Sequence, residues 1–364
     1  MKVRWLIPEV NARRASLRYR CLYPVATLAA RGLDVAVTPS LETCGANLVL
    51  VLDAWSLFPR VHPPSVAERL IAECEAAKAR GARVIVDNCD NQWCAPPEAD
   101  WSAALTLLGK ACHLADHVVC CSDELVAAMQ PQVKSTAMFH VIDDPIEDKI
   151  VYPDDRWWKS LASPNRKLSW LKLLALKKRL RSAREAGRTT LIWFGSHGNN
   201  FAPGGMLDLL KYKELLETTS DAFPLELTII SNNRLKFDSH FANWRFPIQY
   251  LDWDRTTFIS ALKAHEVSLI PVNDNAFTRC KSANRLALSA YHGLSVLADP
   301  VPSYRQYQDV VWLGDWQNHL PQLLAHKCER LDRIERARVV ISQCHSTDAI
   351  ADDWLRVLSR AFHG

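Results

Sequence analysis

No run of about 18 apolar residues occurs in the 364-residue chain, so a membrane-spanning helix is not expected. The opening MKVRWLIPEV is broken by Pro8 and lacks the apolar core of a signal peptide, which argues against export. None of the 11 cysteines stands in a CxxC pair, and no Cys/His group has the spacing of a zinc site. An odd number of irregularly placed cysteines, two of them adjacent at Cys120–Cys121, fits reduced thiols in a cytosolic protein. No GxGxxG follows a strand-like run, which disfavours a Rossmann dehydrogenase. Neither an internal repeat nor a biased tract organises the chain. The net charge of +4 is too small to imply a nucleic-acid partner, and no nucleic-acid module is recognised.

What is present reads as an ordinary globular protein. Apolar residues make up 48% and charged residues 23%, enough for a full core, and the length favours two domains. Short β-branched runs alternate with helical stretches: strands at Val3–Ile7, Val35–Thr38, Leu48–Asp53, Arg83–Asp87, His117–Cys121 and Ala137–Ile142. Between them lie a basic loop, NARRASLRYR, a helix from Cys21 to Arg31, one closed by a Ser65/Glu68 capping box, one over Ser102–Ala115, and one capped by Ser122. This rhythm implies a parallel sheet covered on both faces. It breaks over 146–188 and restarts with strands at Thr190–Phe194, Leu225–Ser231 and Ile248–Tyr250, a helix over Met206–Thr218, and three helical pieces from Asp315 onward. The expected organisation is an α/β domain over 1–150, a basic connector over 151–188, a second α/β domain over 189–345 and a terminal helix over 346–364. The connector region is charged unevenly: residues 151–190 hold 11 Lys/Arg against 3 Asp/Glu. Within it Leu168–Arg184 reads as an amphipathic basic helix with Trp170, Leu173, Leu174, Leu176 and Leu180 apolar.

The stretch Val267–Asp299 carries the clearest chemistry. It reads as strand, polar loop, helix from Ala283 to His292, stop at Gly293, and strand, with Ser282 placed to cap the helix. Lys281 and Arg285 flank Ser282 and Asn284 where a helix offers free N–H groups and a positive dipole end. Cations gathered there repel one another unless an anion lies among them, so KSANR is a candidate phosphate cradle. Gly195, Ser196, His197 and Gly198 directly follow a strand, where small residues let amides approach an anion. Asp87 and Asp90 stand at a strand's carboxyl end, as do Asn273 and Asp274, where open α/β sheets bind ligands. Arg18, in the basic loop after the first strand, is a candidate phosphate or acceptor contact.

Five stretches together resemble the GT-B glycosyltransferases, the group 1-like class: RRASLRYRCLYPVATLAARGLDV, ADHVVCCSDELVAAM, HVIDDPIE, LIWFGSHGN and KSANRLALSAYHGLSVLAD. The resemblance implies two Rossmann-like domains facing across a cleft, the acceptor on the first and the donor on the second. A final helix, Thr347–Phe362, would return to the N-terminal domain. Retaining members carry two glutamates eight positions apart around the donor helix; those places hold Cys280 and Leu288 here.

The activity so implied is transfer of a sugar from a nucleotide-diphosphate donor to a glycan, lipid-linked or small-molecule acceptor. A developing phosphate dianion must be stabilised by cations and helix N-termini, and a metal-free site with no cofactor is expected. Lys281 and Arg285 would serve this, with Ser282, Asn284 and Gly195–Gly198 on the phosphates and Asp87 as a general base. Arg18, Asp90, Asn273 and Asp274 would bind acceptor or sugar. Two other readings stay open: a GT-B-fold binding or scaffold protein, which Leu288 favours, and a GT-B-fold sugar-nucleotide epimerase. The basic helix over 168–184 suggests peripheral contact with an anionic membrane at its inner face by an otherwise cytoplasmic protein.

Overall fold

A computed structural model of the chain describes residues 1–41, 47–94, 98–148, 164–198 and 204–363, and for Asn165 the backbone alone. The expected irregular structure around Pro153 and Trp157–Trp158 lies outside these residues, as does part of the loop after Gly198. The chain divides into two compact units. The first comprises Met1–Val151, Arg279–Asn284 and Cys344–Gly364; the second comprises Tyr152–Thr278 and Arg285–Gln343.

The first unit is built on β1 (Lys2–Leu6), β2 (Asp34–Thr38), β3 (Leu48–Asp53), β4 (Arg83–Asn88), β5 (His117–Cys120) and β6 (Met138–Val141). They form a parallel sheet in the order β2-β1-β3-β4-β5-β6. Every residue of β3, LVLVLD, is buried, as a central parallel strand covered on both faces requires. The final helix, Thr347–His363, packs on this sheet. Its Trp354 meets Trp5 of β1 edge-on with ring centroids 5.3 Å apart, and Ile350, Val357 and Leu358 complete the same core.

The second unit repeats the plan with β7 (Thr189–Phe194), β8 (Leu225–Ser231), β9 (Ile248–Asp252), β10 (Val267–Ile270), β11 (Ser295–Ala298) and β12 (Trp312–Leu313). Their order is β12-β11-β10-β7-β8-β9, again parallel. The order reverses between β1 and β3 in the first sheet and between β7 and β10 in the second. Ligands of open α/β sheets bind at the carboxyl ends of strands at such switch points.

Local details depart from expectation in four places. The loop NARRASLRYR is largely helical: helix begins at Ala15 and passes through a π turn over Arg18–Leu22, with Arg18 and Arg20 buried. No capping box starts the helix Pro64–Ala79. Pro64 occupies its first turn, Pro63 stands extended before it, and no side chain caps it. The Met206–Thr218 helix is a 3-10 segment, Gly205–Tyr212, followed by an α-helix over Lys213–Ala222. A helix at Arg234–Phe241, capped by Asn233, has too little apolar periodicity to be read from sequence. By contrast, the Ser122 hydroxyl caps its helix, accepting from Leu125 N at 3.2 Å.

Candidate functional site

In the second unit the candidate residues converge at the switch point. Gly195 follows β7, Asn273 follows β10, and Arg285 stands in the first turn of the helix Asn284–Tyr291. A Cβ on Gly195 would lie 3.5 Å from the Arg285 guanidinium, an ordinary contact distance, so the two residues are neighbours. Gly195 holds φ +156° and Gly198 φ +109°, a region disfavoured for residues with side chains. The loop is tightly closed: a Cβ at Gly198 would come within 2.4 Å of the Gly204 carbonyl oxygen, and one at Gly205 within 2.5 Å of Gly198 N. His197 N donates to Asn232 at 3.2 Å, and the His197 carbonyl accepts from Lys236 Nζ at 2.8 Å. Lys236 and Asn232 were hidden with the unrecognised helix over 234–241. Asp208, buried in the 3-10 segment, accepts from Gly205 N at 2.9 Å; burial raises its pKa, and Arg285 works against that rise. Asn273 and Asp274 lie exposed beyond β10. The Asn273 amide bonds the Asp208 carboxylate, which joins that loop to the glycine loop.

The first unit assembles a different group. Arg20, from the π turn, is buried and donates to Asp87 from Nη2 at 2.7 Å and to Asp144 from Nη1 at 3.3 Å. Burial pushes the Asp87 carboxyl up to about 6 despite Arg20, because one guanidinium faces two buried carboxylates. Arg18 is buried as well, with Nη2 on Glu147 at 3.1 Å and Nη1 on the carbonyls of Ala12 and Arg13 at 3.0 and 3.1 Å. Arg14 pairs with Asp53 at 2.6 Å, at the switch point between β1 and β3.

The segment Arg279–Asn284 belongs to this first unit, and carboxylates and a hydroxyl hold it. The Lys281 ammonium pairs with Asp90, which also accepts from Trp55 Nε1 at 2.8 Å. Burial disfavours the lysine's charge, but Asp90 outweighs it, so its pKa is raised. The Ser282 hydroxyl donates to Asp144 at 2.5 Å, and Asn284 Nδ2 donates to the same carboxylate at 3.2 Å. Ser122 Oγ donates to the Cys280 carbonyl at 2.8 Å, a second task for a helix cap. The Cys280 thiol is pushed up to about 11 by burial, which leaves it a poor nucleophile at neutral pH. Leu288 is buried in the helix core.

The structure therefore gathers Gly195, Ser196, His197, Gly198 and Arg285 in one place. Asp87, Asp90, Lys281, Ser282 and Asn284 belong to a separate polar network in the first unit, while Arg18 is set apart on Glu147. Reading the sequence did not reveal Arg20, Asp144 or Glu147 as partners. The run Asp143-Asp144-Pro145 marked only a strand end, because acid–base partners more than a hundred residues apart leave no local signal. The expectation of a metal-free site took the sequence to lack a DxD triplet, but Asp252–Trp253–Asp254 is one. Its carboxylates are engaged, Asp252 with Lys172 at 2.7 Å and Asp254 with Ser169 Oγ at 2.9 Å. Among the described residues no three His, Cys, Asp or Glu side chains are grouped to hold a metal ion.

No family model and no curated protein matches the chain by sequence. Solved structures do match it in fold. A trehalose-6-phosphate structure from E. coli, bound with UDP-2-fluoro glucose, is 11% identical with a TM-score of 0.54 over 93% of this chain and 76% of its own. A UDP-forming α,α-trehalose-phosphate synthase from Burkholderia xenovorans is 10% identical with a TM-score of 0.56 over 97% and 80%. Another from the same organism, in complex with glucose-6-phosphate, is 13% identical with a TM-score of 0.53 over 96% and 78%. With its two parallel six-stranded sheets and its final helix on the first of them, the chain has the two-domain GT-B fold.

Proposed function

We propose that this protein transfers a glycosyl group from a nucleotide-diphosphate sugar to a sugar-type acceptor. The observation that carries the reading is Arg285 set against Gly195 at the switch point of the second sheet, in a fold shared with a structure bound to UDP-2-fluoro glucose. Arg285 offers a planar fork of donors matched to phosphate oxygens. The Gly195 amide already donates to the Ile230 carbonyl at 3.2 Å, so the further donors to a leaving diphosphate are the amides of Ser196 and Gly198 and the His197 side chain. Asn273 and Asp274 face solvent at the neighbouring strand end, suited to sugar hydroxyls. Lys281, Ser282 and Asn284 would bind phosphate only by exchanging Asp90 and Asp144 for it. In the first unit Asp90 is the proposed acceptor contact. Asp87 and Arg18 take positioning parts, since Asp87 faces Arg20 and Arg18 secures the loop carbonyls. Charge stabilisation by these cations requires no metal.

Leu288 favours a second reading, a binding or scaffold protein on the same fold that has lost its donor site. Its buried aliphatic side chain cannot accept a ribose hydroxyl. Calorimetric titration of the full chain with a panel of nucleotide sugars, followed by product analysis with glucose 6-phosphate and other sugar acceptors, tests both. Heat with product supports transfer, and no heat with any donor overturns transfer and supports the second reading.

Peripheral membrane contact also belongs to the proposal. No helix among the described residues is long and apolar enough to cross a membrane. The helix Pro164–Glu185 buries Leu173, Leu176 and Leu180 but exposes Leu168, Leu171 and Leu174 at 53%, 62% and 58%. Leu173, Leu176 and Leu180 of the expected apolar face are thus the buried ones, and the exposed stripe Leu168, Leu171 and Leu174 runs at a spacing of three beside exposed Lys172, Lys177 and Lys178. That composition suits an anionic bilayer surface.

A further inference from the structure

At the amino-terminal edge of the first sheet, away from the strand ends described above, lies a pocket of about 320 Å³. Lys78, Arg83, His113, Asp116, His117 and Thr136 line it. Arg83 opens β4 and His117 opens β5, whereas the carboxyl-end residues of β4 are Asp87 and Asn88. A strand of that length places the two ends roughly 17 Å apart. The pocket therefore lies well clear of Asp87 and its partners.

Its charge is one-sided. Lys78 Nζ reaches Asp116 at 3.1 Å and Arg83 Nη1 reaches it at 3.3 Å, so two cations share one carboxylate that also accepts from Val84 N at 2.8 Å. Arg360, on the final helix, adds a third positive charge acting on both His117 and His140. His117 Nδ1 lies 2.8 Å from His140 Nε2, so each ring gives one nitrogen to a shared hydrogen bond and a single proton occupies it. Burial and the neighbouring cations hold both rings below their ordinary pKa. The lining cations Lys78 and Arg83 exceed the acid by one charge and the exposed Arg360 beside the recess makes the excess two, in a space large enough for a small molecule and with the Thr136 hydroxyl as a further hydrogen-bonding group.

We propose that this pocket is a second binding site, for a small phosphate-bearing anion, held by Arg83 and Lys78 with His117 as an additional donor. A dianionic phosphate is the ligand that balances the two-charge excess, and Arg83 can meet it with two parallel hydrogen bonds. Binding draws a proton onto the His117–His140 pair, because a nearby anion favours imidazolium. The site does not depend on the glycosyl-transfer reading.

The test uses the full chain carrying Arg285→Ala, so that phosphate at the proposed donor site does not contribute. Inorganic phosphate and glucose 6-phosphate are titrated by calorimetry. One anion per chain is expected. Lys78→Gln with Arg83→Gln should weaken binding about tenfold or more, and Asp116→Asn, which removes the competing carboxylate, should tighten it severalfold. Because the double substitution strips Asp116 of its partners, a second readout uses the parent protein. Ring-nitrogen NMR resonances of His117 and His140 should move toward the imidazolium position on adding phosphate. A stronger response to the sugar phosphate assigns the site to phosphomonoesters, and an equal one assigns it to free phosphate; both uphold it. Unmoved histidine resonances, no heat at millimolar anion, or affinity unchanged in both sets of variants overturns it.

Discussion

The Lys281 ammonium rests on the Asp90 carboxylate, at the carboxyl end of the fourth strand of the first sheet. A lysine four residues ahead of Arg285 is thus already neutralised by a carboxylate. The pair is partly exposed at the lysine, so its own contribution to stability is small. Its consequence lies in competition: any anion recruiting Lys281 must displace Asp90.

Asp90→Asn should therefore tighten binding of a nucleoside diphosphate such as UDP by about threefold to tenfold, the worth of removing one competing charge near the surface. Calorimetry on wild type and variant measures this. Unchanged affinity would remove Lys281 from the donor contacts while leaving Arg285 in place.

Arg285→Ala should weaken nucleotide-sugar binding by about ten- to a hundredfold, the usual loss for one charge-assisted hydrogen-bonding group. Arg285 is only partly buried, so the thermal midpoint should stay within a few degrees of wild type. Equal affinity in the folded variant would dismiss the switch-point donor site.

The alternation of strand-like and helical stretches made the two parallel sheets legible, because strands such as LVLVLD and LELTIIS are rich in large apolar residues and short. The glycine loop after Phe194 was legible for the same reason: small residues immediately after a buried strand have few structural uses. The first unit's charged network was not. Arg20 is separated by 67 residues from Asp87 and by 124 from Asp144, and nothing local marks an arginine as buried rather than solvated. The π turn compounds this, since it turns a stretch dense in arginine inward where a basic loop was the natural expectation. In the helix Pro164–Glu185, Leu173, Leu176 and Leu180 of the apolar face are buried, whereas Leu168 and Leu171 stand exposed outside that set.

Replacing Leu168, Leu171 and Leu174 together by Ser should leave stability nearly unchanged, because all three are more than half exposed. It should weaken binding to phosphatidylglycerol vesicles about tenfold or more, given the apolar area lost. Sedimentation with vesicles reads this directly. Equal pelleting of wild type and variant would dispose of the membrane contact.

Asp87 offers a test of the buried network through pH. Its pKa stands at about 6 in the folded protein, against an ordinary value of 3.8, and burial is the chief cause. Between those values the folded state holds a proton that the unfolded state has lost, so this group's contribution to stability falls as pH rises from about 4 to 6. Asp87→Asn keeps the size and hydrogen bonding of the protonated form but does not titrate. Urea unfolding of both proteins should show the wild type's standing relative to the variant declining steadily across that window. Below it, where Asp87 is protonated, the two should lie closest to a purely isosteric comparison. Arg20→Ala should instead cost about 3–5 kcal/mol at neutral pH, since it leaves Asp87 and Asp144 buried without their shared cation. A wild-type advantage that grows with pH would mean that Arg20 outweighs burial and holds Asp87 ionised throughout.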